Sequence, residues 1–119
     1  MRIVYAPIMI VMLLAFGNAR AADEDGASGT FWHKICVLNR GVTNDALCSV
    51  YVAGISEGYM AATVMHKSPP VYCLAGSISS AQMADIFRKA LRTKPETRHC
   101  IASAIFLRAM AENHPCKGH

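Results

Sequence analysis

The chain has 119 residues, with 12 Lys+Arg against 8 Asp+Glu and 53% hydrophobic residues. That length supports one small domain, and so mild a charge balance argues against a nucleic-acid partner or a polybasic membrane patch. Five cysteines are an odd set, so at least one thiol is left over or pairs with another chain.

Residues 1–21, "MRIVYAPIMIVMLLAFGNARA", open with Arg2 and continue as an apolar stretch to Phe16. They end with Ala19 and Ala21 in an A-x-A arrangement. This is the pattern of a secretory signal peptide cut after Ala21. The apolar run is short for a spanning helix, which needs about 20 residues. Cleavage removes Arg2 and Arg20 and leaves 98 residues with a net charge of +2. A secreted chain enters an oxidising compartment, where disulfides persist. A core this small also gains much from covalent staples.

Residues 22–29, "ADEDGASG", are acidic, small and glycine-containing, and read as a disordered arm before a domain spanning 30–119. The first helix is expected from Thr30, as N-cap, to Leu38, with Phe31, Ile35 and Leu38 on one face and Gly41 closing it. The second is expected from after Thr43 or Asn44 to about His66. Its apolar and small positions, from Leu47 through Gly54, Gly58 and Ala61 to Met65, follow helical spacing. Gly54 and Gly58 each cost about 1 kcal/mol inside a helix relative to Ala. Either another backbone packs close against them, or the helix is weak there.

"KSPPVYCLAGS" then breaks the chain, because Pro69 and Pro70 cannot continue a helix. Ser79 and Gln82 form an S-x-x-Q capping box that starts the third helix. Met83, Ile86, Phe87, Ala90 and Leu91 make its apolar stripe, while Arg88, Lys89 and Arg92 are expected to face water or the helix end. Pro95 opens a fourth helix, apolar nearly all round from Cys100 to Ala111 and therefore expected to be central. It stops at Asn113–Pro115. No alternating run suggests strands, so the class is all-α, a bundle of about four helices with short connections.

This plan predicts the cysteine pairing. Cys36 ends the first helix and Cys48 begins the second. Cys73 precedes the third helix and Cys116 follows the fourth. The expected disulfides are Cys36–Cys48 and Cys73–Cys116, worth about 3 and 4 kcal/mol in the chain-entropy model. Cys100 is the free thiol. It is expected to share a helical side with Ala104, Leu107 and Ala111 as a buried small apolar residue. The alternatives are a thiol made reactive by His99 or Arg98, or a bridge between copies.

Catalytic patterns are missing: there is no G-x-S-x-G, H-E-x-x-H or glycine-rich phosphate loop. Ser56 and Glu57 have no histidine partner in the sequence. His33, His66, His99, His114 and His119 are scattered. His114, Cys116 and His119 have the donor types for a soft metal, but tail residues lack the surrounding groups that orient ligands. Neither metal nor cofactor is expected, and the chain reads as a binding protein. The segment Lys67–Ser77 is the longest and most rigidly kinked connection. Within it Lys67 and Tyr72 are the candidate anchors for a partner, unless the loop is an ordinary connector held by Cys73.

Several segments taken together resemble the Rap/Tai family, the resistance-associated and amidase-immunity proteins of bacterial type VI secretion. They are "CSVYVAGISEGY" (48–59), "YC" (72–73), the S-x-x-Q helix start (79–82), "LRTKPETRH" (91–99) and "HPC" (114–116). The family usually has an aromatic residue where His114 stands. The resemblance implies a small all-helical periplasmic protein, soluble once its signal is removed. Such a protein binds a toxin from sibling cells, often a peptidoglycan amidase, and covers its active site. It also implies that homodimers are common. Family cysteines match Cys36, Cys48, Cys73 and Cys116, and Cys100 inherits no role. The competing readings are a periplasmic structural or chaperone-like helical protein without a dedicated toxin, and a thiol enzyme using Cys100.

Overall fold

The computed structural model describes residues 26–117; the expected signal peptide, Ala22–Asp25 and His119 lie outside them. Helix α1 (Gly29–His33) runs on as a π-helical turn (Lys34–Leu38), followed by α2 (Val42–His66), α3 (Ser80–Thr93), a 3-10 turn (Pro95–Thr97) and α4 (Ala102–Asn113). Among the described residues there is no strand, only an isolated bridge between Ser28 and Ile101. The class is all-α with four helices, and both expected disulfides, Cys36–Cys48 and Cys73–Cys116, are present.

Ordered structure starts earlier than the arm boundary at residue 29 suggests. The N-cap of α1 is Ser28, not Thr30; its hydroxyl accepts from the Phe31 N–H at 3.2 Å. Trp32 reaches back and donates its indole N–H to the Gly26 carbonyl at 2.8 Å. Gly29 is buried where α1 meets the chain before α4. A Cβ on it would stand 2.7 Å from the Arg98 carbonyl oxygen, so only glycine fits.

Helix α4 begins at Ala102, seven residues after Pro95, and this corrects the expected start. Backbone groups at 98–101 serve α1: Gly29 N–H donates to the Cys100 carbonyl at 2.9 Å, and Thr30 N–H to the Arg98 carbonyl at 2.7 Å. Carbonyls committed across the fold pull the segment out of helical geometry, and Pro95 is left opening a single 3-10 turn. Arg98 fills the gap by donating from Nε to the Leu91 carbonyl at 2.6 Å, which caps the end of α3.

The capping box forms in full. Ser79 Oγ accepts from Gln82 N–H at 3.1 Å, and Gln82 Oε1 accepts from Ser79 N–H at 2.9 Å. From α3, Met83, Ala84, Phe87 and Leu91 enter the core. They meet Ala102, Ile105, Phe106 and Met110 of α4 and Val52 and the Cys36–Cys48 bridge below α2. Phe87 packs edge-on to Phe106 with ring centres 6.0 Å apart, and Trp32 stacks on Tyr51 at 3.6 Å. Lys94, at the end of α3, pairs with Glu112 in the last turn of α4 at 2.9 Å.

Arg88 does not face water. It is 6% exposed and is held by groups from three segments. Its Nε donates to the Cys36 carbonyl at 2.9 Å, and its terminal nitrogens reach Asp85 at 2.8 Å and Asp45 at 3.4 Å. Burying an arginine is tolerable only with such partners. Arg40 grips the same Asp45 through two bonds of 3.0 and 2.9 Å. The hydrogen bond from Arg40, with the positive charges of Arg40 and Arg88, holds the Asp45 carboxyl below the usual carboxylate value.

Candidate binding surface

The connection between α2 and α3 is built as a rigid projection. Helix α2 ends at Lys67, whose backbone takes the left-handed conformation (φ 50°, ψ 34°). Its N–H donates to the Val64 carbonyl at 3.3 Å, and Ser68 N–H to the Thr63 carbonyl at 3.1 Å. This closure turns the chain sharply and normally favours glycine. Pro69 and Pro70 follow, which fixes two more φ angles.

Tyr72 is the anchor that ties the projection to the domain. Its side chain is only 3% exposed, and its hydroxyl lies 2.9 Å from Ser56 Oγ. Its ring stacks on Tyr59 with centres 5.6 Å apart, and Tyr59 in turn accepts the Val71 N–H through its hydroxyl at 2.6 Å. Tyr72, one of the two candidate anchors for a partner, is thus turned inward, where Ser56 and Tyr59 of α2 satisfy it. The loop exposes Lys67, Val71 and Leu74 instead. Cys73 is bonded to Cys116, and its N–H donates to the His114 carbonyl at 2.9 Å. The chain after α4 is thereby stapled beneath the loop.

The electrostatics of this end are one-sided. No acidic residue occurs between Glu57 and Asp85, while His66 and Lys67 lie within that stretch and Lys117 follows the staple. The exposed side of this loop is thus apolar and mildly cationic. Of the two residues singled out by sequence, Lys67 is on this surface and Tyr72 supports it from within. The contributions of Val71 and Leu74 were missed.

Cys100 is unpaired, and it is exposed where a buried position was expected. It precedes α4 in the segment committed to α1, so the helical side it was assigned does not exist. Its sulfur lies 3.7 Å from His99 Nε2, at a small cleft whose lining includes Ala90, Thr97, Ile105 and Arg108. Cys116 is spent in its disulfide, so its sulfur is unavailable as a metal thiolate. Among the described residues, no group of three His, Cys, Asp or Glu side chains is arranged to hold a metal ion. No helix among them is long and apolar enough to cross a membrane.

The model of one protein family, described as Rap1a immunity proteins, matches residues 28–116. No curated protein and no solved structure matches the chain.

Proposed function

Since the chain belongs to the Rap1a immunity protein family, we propose that it binds and neutralises a toxin delivered by type VI secretion. The toxin in this reading is a peptidoglycan amidase acting in the periplasm, and the protein reaches that compartment through its signal peptide. Neutralisation is by cover: the stapled loop, with Lys67 on its surface and Tyr72 holding it from inside, enters the hydrolase cleft and blocks it. The protein acts as a binder and not as an enzyme, and two copies work together.

The observation that carries this reading is the family match over residues 28–116. Two others support it. The disulfides fit an oxidising compartment. The loop, fixed by two prolines, a buried tyrosine and a disulfide, pays little ordering entropy on binding. The test is to survey the gene's neighbourhood for a small secreted hydrolase and to express each candidate in the periplasm with and without this protein. The hydrolase alone should lyse the cells, and co-expression should restore growth. Lysis in both cultures contradicts immunity for that pair.

A further inference from the structure

The two disulfides lie in opposite environments. Cys36 and Cys48 are both 0% exposed and belong to the core cluster with Val52, Phe87 and Leu91. Cys73 is exposed, Cys116 is half-buried, and neither belongs to that cluster. Thiol–disulfide exchange requires a thiolate to reach a sulfur, so access decides which bridge opens first. The sulfurs of the core bridge are reached only when the core itself opens, which demands close to global unfolding.

The exposed bridge is also the tie on which its surroundings depend. Residues 74–77 are all exposed and make no hydrogen bond among the described residues. They are fixed at their ends alone, by Cys73 on one side and by Ile78, packed on the core, and the Ser79 cap on the other. Residues 114–117, after α4, meet the loop at three places. These are the disulfide, the Cys73 N–H donating to the His114 carbonyl at 2.9 Å, and the Cys116 sulfur 3.7 Å from the Pro70 carbonyl oxygen. The first half of the loop does not share this dependence. Tyr72 is locked by Ser56 and Tyr59, and the Val71 N–H by the Tyr59 hydroxyl.

We infer that Cys73–Cys116 is a redox latch. A dithiol opens it while Cys36–Cys48 stays closed, and opening frees residues 73–77 and 114–117 without unfolding the helices. The step is exchange in two stages. One thiolate of the dithiol bonds to a latch sulfur; the S–S bond breaks, and its electron pair leaves on the other cysteine's sulfur, which takes a proton. The second thiolate of the dithiol then displaces the cysteine still bound, and that sulfur takes the second proton. The latch is reduced by two electrons and the dithiol is oxidised to a disulfide. An oxidising compartment holds the latch closed. The contact role of the loop rests on the function proposed above; the latch does not, and its test contains no toxin.

The oxidised protein is treated under native conditions with rising dithiothreitol, quenched with iodoacetamide and mapped by peptide mass. Without reductant Cys100 alone should be blocked, since it is the free thiol. Cys73 and Cys116 should join it together, and Cys36 and Cys48 should follow only when denaturant is added. At the intermediate stage the helical circular dichroism should be unchanged, and chymotrypsin should cut after Leu74 several-fold faster than in the oxidised protein. Blocking of Cys36 and Cys48 before or along with the exposed pair overturns the inference, because the bridges then open through a common unfolding. A latch-reduced protein that resists cleavage after Leu74 as well as the oxidised one overturns it too, because the bridge then does not hold the loop.

Discussion

At the residue scale, three residues have roles that their sequence neighbourhoods conceal. Gly29 sits among small flexible-looking residues, yet it is wedged against the Arg98 carbonyl. Gly29→Ala should cost about 1–3 kcal/mol, the usual price of overpacking, read as a lowered urea midpoint. Arg88 falls on the polar side of the α3 pattern, yet it satisfies the Cys36 carbonyl and Asp45 from inside the fold. Arg88→Ala should lose about 2–3 kcal/mol, as expected for removing hydrogen bonds to charged and buried groups. Lys89→Ala beside it should change stability by no more than about 0.5 kcal/mol. Equal effects at both positions would show that the Arg88 network is not structural. Lys67 separates stability from binding. It occupies a left-handed position, where replacement by glycine removes about 1–2 kcal/mol of backbone strain. Lys67→Gly should therefore raise the thermal midpoint while weakening toxin binding. A variant that is both more stable and fully protective would remove Lys67 from the contact surface.

At the element scale, local signals were legible and long-range commitments were not. The α3 start could be read because its capping box lies within four residues, and both of its bonds form. The core stripe of α3 was equally legible, since Met83, Phe87 and Leu91 recur at helical spacing. The start of α4 was not legible. Its delay comes from the Arg98 and Cys100 carbonyls, which pair with α1 about 70 residues away, and no window around Pro95 contains that information. The same commitment moved Cys100 out of its helix and onto the surface. The inward turn of Tyr72 was not legible from its loop because its partners Ser56 and Tyr59 lie in the preceding helix. The disulfides were legible because helix order alone brings their ends together. Removing Cys73–Cys116 as a double alanine variant should cost about 4 kcal/mol, and removing Cys36–Cys48 about 3 kcal/mol, in the chain-entropy account. Chemical denaturation of the two double variants checks the order. A larger loss from the shorter loop would contradict that account.

At the scale of the whole molecule, the fold should weaken stepwise in acid. His33 is held below the ordinary histidine value, first by burial and then by the positive charge of Arg98. A lowered folded value favours the neutral ring, so this contribution is complete above about pH 6.5 and is lost as pH falls through the folded value. Asp45 is held below the ordinary carboxylate value by Arg40 and Arg88. Its contribution is complete above about pH 4 and is lost lower still. Thermal midpoints should therefore fall in two stages from neutral pH downward, and His33→Leu should remove the upper stage alone. A midpoint that stays flat between neutral pH and about pH 5 would contradict the His33 account.

Residues 26–117 form a stapled four-helix domain with a rigid loop at one end and an exposed apolar helix face along one side. In the function proposed above, this domain silences a cell-wall hydrolase by covering it. The most direct measurement is peptidoglycan cleavage by a purified candidate hydrolase from the gene's neighbourhood, titrated with the purified protein. The account predicts that cleavage falls to background and stays there beyond a fixed stoichiometric ratio. Cleavage that continues undiminished in the presence of excess protein would contradict it.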